Sequence, residues 1–414
     1  MNLLIDFLTA HGRYGAGEYQ RRIVMTLIEK IQKMHISDVH LFALFDSTKE
    51  ISFEDLQEEN LSKIIPIKYC DLQEKDLLKI IEENKIDRFF IACGQRIGEY
   101  PEIANVECDV VCVTHDLLYE EWYYNHMYEY WSSLRPMQSL PPKSSLWRRG
   151  LKKLKKIIKK LIKKNNRNSS QNLEEKMLGY MDAVVTMLKK NLKARCVMVS
   201  EYSKTTMVYN YHIDAEKIEV YYSPERIETP ISPIENKNLA DLIESGAKYY
   251  IMLSCDRESK NPIKALHAFK RYLEIHPEVH FVMIGMLPYF GECTGNIHAM
   301  DFLSDSDLAW ALKSCYALVY PSFFEGFGYP PIEAMRYGKP VICSNVTSLP
   351  EIFEEAPIYC SPLYESSIFG ALLKLKDDNY NDYSKRSLEQ YKKLKIRQEQ
   401  DLHKLTDMIL KPLE

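Results

Sequence analysis

Two tandem doubly wound α/β domains are what this sequence predicts, on three observations. Short apolar runs alternate with amphipathic stretches along the chain, which is the order of parallel βαβ units. Many of those runs are apolar throughout, as strands buried on both faces require. At 414 residues the chain is long enough for two domains of ~100–200 residues each. Ligands of such folds lie beyond the carboxyl ends of the strands, so a cleft between the two sheets is the expected site.

The first series of strand candidates is LLIDFL, HLFALF, RFFIAC, VVCVT, AVVTM, CVMVS and IEVYYS. The second is YYIMLS, HFVMIG, ALVYPS and PVICS. Amphipathic helical stretches fall at 18–33, 203–211, 261–275 and 305–314. The polar, proline-bearing segment Ser223–Gly246 separates the two series and reads as a linker. The resulting division is an N-terminal domain over 1–222, a linker over 223–246 and a C-terminal domain over 247–395. Residues 396–414 form a charged helical tail that either lies on the surface or crosses back over the first domain.

Composition, at 46% apolar and 27% charged residues, excludes a disordered or fibrous chain. The net charge of −4 conceals a split: 148–167 holds eleven Lys and Arg and no acid, so the rest of the chain is strongly acidic. An acidic body is not that of a general nucleic-acid binder. No apolar run approaches the ~18–20 residues that cross a bilayer. The opening MNLLIDFLTAHGRYGAG reads as a first strand and glycine loop, not as a signal peptide. Ten cysteines are scattered without a disulfide framework or a CxxC zinc pair, which predicts reduced, buried thiols.

The segment Tyr320–Pro350 concentrates the chemistry. A strand ending near Ser322 is followed by a loop with Gly326 and Gly328, then a helix opened by Pro330–Pro331 and closed by Gly338. Glu325 stands in the loop and Glu333 in the early helix. Glycines let backbone amides approach a ligand, a helix N-terminus favours anionic groups, and ionised carboxylates accept short hydrogen bonds from hydroxyls. On chemistry alone, Glu333 is equally readable as a residue complementing the helix dipole, and Glu325 as a solvated loop residue.

EGFGYPPIEAMRYGKPVICSN resembles the donor-binding signature of retaining glycosyltransferases of family 4, which have the GT-B fold of two Rossmann-like domains. The resemblance implies that Glu325 contacts hydroxyls of a transferred sugar, with the amides of Gly326, Phe327 and Gly328 near it, and that Glu333 holds the ribose. LIDFLTAHGRYGAGEYQRRI resembles the family's first strand and glycine loop, placing Gly15 and Gly17 beside the sugar-phosphate. VCVTHDLLY resembles the strand end whose histidine, here His115, faces the donor sugar. SKNPIKALHAFKRY resembles the helix whose Lys260 neutralises the diphosphate. The family's partner arginine is displaced in this sequence: Ser259 precedes Lys260, and Arg257 is the nearby candidate. The expected catalytic set is therefore Glu325, His115, Lys260 and Arg257.

Other readings compete. HGRYGAGEY could be a dinucleotide fingerprint with Asp46 on the ribose, but its glycines at 12, 15 and 17 do not give G-x-G-x-x-G. Asp305 and Asp307 could hold a metal-bound diphosphate, but behind Ser304 they read better as helix-capping acids. His276 and His280 are parted by Pro277, so no metal site is assigned. His115 by itself could be an ordinary strand-end histidine.

The basic stretch 147–167 has helical periodicity at about 100° per residue. Leu151, Leu154, Ile157, Ile158, Leu161 and Ile162 fall within an arc of about 140°, together with Trp147. Lys152, Lys156, Lys160 and the neighbouring lysines fall outside it. This is the pattern of a helix lying in an anionic membrane interface, within an insert at about 143–170. Packing on the first domain and electrostatic binding of nucleic acid are the alternatives.

The sequence therefore predicts a cytoplasmic enzyme, peripheral on the inner face of the cell membrane. It transfers a hexose with retention from a nucleotide-sugar to a saccharide or lipid-linked saccharide in surface-polysaccharide synthesis. GDP-mannose leads as donor, ahead of UDP-hexoses and dTDP-rhamnose. No cofactor or metal is expected, the nucleotide-sugar being a substrate. A non-catalytic GT-B membrane scaffold is the alternative, against which the intact Glu325, Glu333, Lys260 and His115 argue.

Overall fold

A computed structural model describes residues 1–12, 15–118, 121, 181–227, 231–285, 293 and 295–411. The first sheet contains β1 (Asn2–Asp6), β2 (His40–Phe45), β3 (Ile67–Asp71), β4 (Arg88–Ile91), β5 (Asp109–Thr114), β6 (Ala194–Met198) and β7 (Ile218–Val220). Their order is β3-β2-β1-β4-β5-β6-β7, and every pairing is parallel. The second sheet contains β8 (Tyr249–Met252), β9 (His280–Ile284), β10 (Ile297–Met300), β11 (Ala317–Tyr320), β12 (Val341–Ser344) and β13 (Ile358–Cys360). It runs β10-β9-β8-β11-β12-β13, again all parallel.

The continuous apolar strands follow from burial on both faces. Leu3 and Ile5 of β1 face one core while Leu4, between them, faces the other, and all three are fully buried. β5 divides likewise, with Val111 and Val113 in the first core and Val110 and Cys112 in the second. Each such side chain contributes roughly 1.5–3 kcal/mol by leaving water. None of the ten cysteines forms a disulfide, and eight are buried.

Among the described residues, the helices of the first half are α1 (Gly15–Lys33), α2 (Glu58–Ile64), α3 (Leu77–Glu83), α4 (Gly94–Ile97), α5 (Asp182–Lys190) and α6 (Glu201–Tyr211). α1 buries Ile23, Val24, Leu27, Ile28 and Ile31, the spacing of one helical face. One sequence expectation is corrected: AVVTM is not a strand but part of α5, which buries Val184, Val185, Met187 and Leu188. So short an apolar run has no period that separates strand from helix.

The second half carries α7 (Lys237–Glu244), α8 (Pro262–Leu273), α9 (Asp305–Ser314), α10 (Tyr329–Arg336), α11 (Leu349–Phe353), α12 (Glu365–Lys374) and α13 (Tyr380–Leu410). α7 lies inside the proline-bearing segment and starts where the Asn236 side chain accepts from the Leu239 amide at 3.1 Å. α9 begins at Ser304, which caps the Asp307 amide at 3.1 Å. Asp307 in turn accepts the linker amides of Glu235 and Asn236 at 2.9 and 3.2 Å. That carboxylate is occupied in fixing the linker to α9.

α13 is one uninterrupted helix of 31 residues that starts on the second domain and ends on the first. Gln390 donates to Ile352 O at 2.8 Å, Gln398 to Ser223 O at 2.6 Å, and Asp407 accepts from Lys30 of α1 at 2.6 Å. Arg88 closes the contact by donating to Ile409 O at 2.9 Å. The helix thereby crosses the linker and ties both domains together. Among the described residues, no helix is long and apolar enough to cross a membrane.

Candidate active site

In the second sheet, chain order reverses between β8 and β11, so the loops after these strands open a crevice, where open α/β sheets bind ligands. Lys260 lies in the loop after β8 and Glu325 in the loop after β11. Lys260 Nζ stands 2.5 Å from Glu325 Oε1 and 2.9 Å from the Tyr320 hydroxyl. Both charged residues are only 8% exposed, so each needs the other. The Phe323 amide donates to Ser259 O at 2.8 Å, tying the two loops by their backbones. Asn261, at φ +66, ends the Lys260 loop and donates to Pro321 O and Pro362 O. On the far side of Glu325, its amide donates to Thr347 Oγ1 and its carbonyl accepts from Ser348 Oγ.

Across the crevice stands the end of β5. A Cβ at Gly326 would lie 2.2 Å from His115 O, so only glycine lets the two domains meet there. Ser200 Oγ donates to Gly326 O at 2.9 Å from the same side. His115 Nε2 contacts Ala92 O at 3.1 Å. A carbonyl only accepts, so Nε2 carries the proton and Nδ1 is the acceptor. Burial pushes the imidazole down to about 4, which keeps it neutral. Tyr19 of α1 meets this ring edge-on at 4.6 Å.

Asp116 is pushed up, first by burial and further by Glu325, against the Leu118 amide and the Lys260 and Arg257 cations. Arg257 is exposed, and its charge reaches both Asp116 and Tyr320. Glu325, Lys260, His115 and Arg257 are thus brought to one crevice.

Glu333 lies further along α10 and pairs with an arginine the sequence did not single out. Arg226 Nη1 stands 3.0 Å from Glu333 Oε1, and its guanidinium lies 4.9 Å over the Tyr329 ring. Glu18, Arg226, Asp305, Leu308, Tyr329 and Glu333 share the wall of a cavity of about 270 Å³. Lys260 and Glu325 are not part of that wall, so the site has two regions. Gly15 opens α1 with its Cα facing the Tyr329 ring, and a Cβ at Gly17 would lie 2.2 Å from Gly12 O. Gly328 takes φ +102 where α10 begins. Phe327 is spent on packing: its buried ring meets Tyr222 at 5.5 Å and Tyr329 at 5.7 Å.

Sequence reasoning missed Arg226, Tyr320 and Tyr19. Arg226 carries no local signal, since its partner is distant in the chain. Tyr320 and Tyr19 read as ordinary apolar positions of a strand and a helix.

No group of three or more His, Cys, Asp or Glu placed to hold a metal occurs among the described residues. His276 lies against the Tyr272 ring, and His280 Nδ1 contacts His298 Nε2 at 2.8 Å. The interfacial residues expected from the sequence, Trp147, Leu151, Lys152, Leu154, Lys156, Ile158, Lys160 and Leu161, lie outside the described residues.

Two facing parallel-sheet domains joined by a linker and a returning helix define the GT-B class of fold. Residues 235–393 match the family model described as glycosyl transferases group 1. It is 28% identical over 200 residues to O-antigen chain mannosyltransferase B of Escherichia coli, covering 44% of this chain and 52% of that one. It is 27% identical over 221 residues to O-antigen chain mannosyltransferase RfbU of Salmonella typhimurium, covering 48% and 58%. The chain thus spans about half the length of these curated relatives. Among solved structures it resembles Anabaena HepE in complex with UDP, with a TM-score of 0.62 over 99% of both chains at 14% identity. It also resembles WaaG, a glycosyltransferase involved in lipopolysaccharide biosynthesis, with a TM-score of 0.60, 11% identity and 99% of both chains covered. At such identities the likeness is one of fold.

Proposed function

We propose that this protein is a retaining glycosyltransferase that moves a hexose from a nucleotide-sugar to a saccharide or lipid-linked saccharide in surface-polysaccharide synthesis. The observation that carries the reading is the buried Lys260–Glu325 pair at the switch point of the second sheet, facing His115 and Asp116. A diphosphate entering beside Lys260 competes for its ammonium, and sugar hydroxyls then donate to the Glu325 carboxylate in its place. As the bond from the sugar to the diphosphate breaks, negative charge gathers on the leaving oxygens. Lys260, Arg257 and the amides of Gly326 to Gly328 are the groups placed to stabilise it. The acceptor oxygen joins the anomeric carbon on the face the diphosphate leaves, and its proton passes to the departing phosphate. Neutral His115 offers Nδ1 to a sugar hydroxyl.

At the other region, Glu333 is assigned to the ribose hydroxyls, with the Gly15–Gly17 loop and the N-terminus of α1 beside the phosphates. The mannosyltransferase relatives favour GDP-mannose as donor. UDP-hexoses follow, since the HepE structure holds UDP, and dTDP-rhamnose is the third choice. The basic amphipathic stretch at 147–167 is assigned to the anionic inner face of the membrane, where a lipid-linked acceptor would be met.

The test follows nucleotide release from GDP-mannose, UDP-glucose, UDP-galactose and dTDP-rhamnose, with and without a polyprenyl-linked saccharide. One donor should turn over, and Glu325→Gln should lower its kcat at least a hundredfold, roughly the loss from removing one transition-state contact. If no donor binds, and Glu325→Gln changes nothing, the chain is a scaffold and the proposal fails.

A further inference from the structure

Glu333 is a partly buried glutamate on α10, and helical backbone fixes its Cβ but not its carboxylate. What fixes the carboxylate comes from outside the domain. Arg226 belongs to the linker between the two sheets and holds Oε1 of Glu333 at 3.0 Å. Arg226 is itself held on several sides. Its guanidinium lies 4.9 Å over the Tyr329 ring, and the Tyr329 hydroxyl donates to Pro224 O at 3.0 Å, two residues before it. Gln398 of α13 donates to Ser223 O at 2.6 Å, and the Tyr391 hydroxyl to Glu225 at 2.5 Å. The linker is therefore anchored to α10 and to α13 at once, and Arg226 has little freedom to follow a wandering carboxylate.

The surroundings favour this pairing while leaving the carboxylate usable. Glu18 of α1 and Asp305 of α9 add negative charge around Arg226. The Arg226 Nε atom is buried with no hydrogen-bond partner among the described residues, and Arg226 meets Glu333 as an ion pair from Nη1 to Oε1. A carboxylate has two acceptor oxygens, so Glu333 Oε2 is a second acceptor beside the paired Oε1. Both residues line the same cavity.

We propose that Arg226 is a positioning residue for the nucleoside: it locks the Glu333 carboxylate so that Oε2 meets the ribose hydroxyls in a fixed direction. This rests on the reading of Glu333 as the ribose ligand, and it adds that the linker, rather than the donor domain alone, sets how tightly the ribose is read. Lysine cannot replace arginine fully, because it neither stacks flat on Tyr329 nor keeps a planar fork.

The test is calorimetric titration of GDP, 2′-deoxy-GDP, UDP and 2′-deoxy-UDP into wild type, Arg226→Gln, Arg226→Lys and Glu333→Gln. Wild type should prefer one ribonucleotide over its deoxy form by about tenfold, the equivalent of one hydrogen bond to a charged group. Arg226→Gln should bind the ribonucleotide about tenfold more weakly, with its ribo-to-deoxy ratio falling towards one as in Glu333→Gln, and Arg226→Lys should recover part of it. Circular dichroism and the melting midpoint establish that each variant is folded, and should the glutamine variant misfold, Arg226→Lys alone decides by its ratio. In steady state the donor KM should rise while kcat holds. A folded Arg226 variant that keeps the wild-type ratio, or binds more tightly because the arginine was blocking Glu333, overturns the proposal. A wild-type protein that binds ribo and deoxy forms alike overturns the ribose reading of Glu333, and this inference with it.

Discussion

Lys260 Nζ lies 2.5 Å from Glu325 Oε1, and this contact joins the two loops that flank the switch point of the second sheet. The pair is buried and also reaches the Tyr320 hydroxyl, so it is a structural strut between the two loops.

Removing one partner leaves the other charge buried. Lys260→Met should lower stability by about 3–5 kcal/mol, while the double variant Lys260→Met/Glu325→Gln recovers much of that loss. Both should be inactive. Melting midpoints of the single and double variants check this, and equal midpoints for the two would show that the pair carries no buried-charge penalty.

A second carboxylate acts across the domains. Glu351 of α11 accepts the Glu201 and Tyr202 amides at 2.9 Å each and the Tyr222 hydroxyl at 3.2 Å, so it caps α6 of the opposite domain. Losing a cap costs about 1 kcal/mol, enough to shift a domain equilibrium several-fold. Glu351→Ala should enlarge the radius of gyration in solution scattering and speed proteolysis within 223–236. Scattering curves identical to wild type would show that this cap does not hold the domains together.

Two buried groups give opposite pH slopes. His115 is pushed down to about 4, so the unfolded chain takes up its proton first as pH falls. The stability it contributes is complete above its ordinary value near 6.5 and is lost as pH drops from there towards 4. Asp6 is pushed up by burial to about 7, so its contribution is present at low pH and is lost as pH rises from about 4 to 7. The comparison that isolates His115 is wild type against His115→Gln in denaturant titrations from pH 4 to 7.5. The variant should lose less stability than wild type on acidification, and parallel curves would contradict a neutral buried imidazole.

The basic stretch makes its own prediction. Replacing Leu154, Ile158 and Leu161 together by Ser should abolish sedimentation with vesicles rich in anionic lipid and leave nucleotide binding unchanged. Raising salt from ~0.1 to 1 M should weaken the wild-type interaction, since screening shortens from about 10 to 3 Å. Retained vesicle binding by the triple variant would sink the membrane assignment.

Much of the second half was legible because its candidate residues are neighbours in the chain. Glu325, Gly326, Gly328 and Glu333 lie on one strand-loop-helix unit, and proline at the helix start, glycine at its end and an apolar strand on either side are local signals. The two-domain α/β order was legible for the same reason, through the period of each segment. Where the period is short the reading failed, as in AVVTM, whose valines lie on one face of α5. The edge strands β3, β10 and β13 were passed over because three to five residues with mixed burial make a weak pattern.

By itself, then, the sequence determined most of the elements and which carboxylates stand beside a helix N-terminus, since these depend on neighbours within a few turns. Only the tertiary structure decided what each charge meets. Lys260 and Glu325 are 65 residues apart, and Glu351 caps a helix 150 residues away. Arg226 finds Glu333 from a linker whose sequence shows nothing but polarity and prolines. Parallel strands must be joined by crossovers, so the loops that share one edge of a sheet come from distant parts of the chain. Their pairing is set by strand order and domain closure, which no local pattern records.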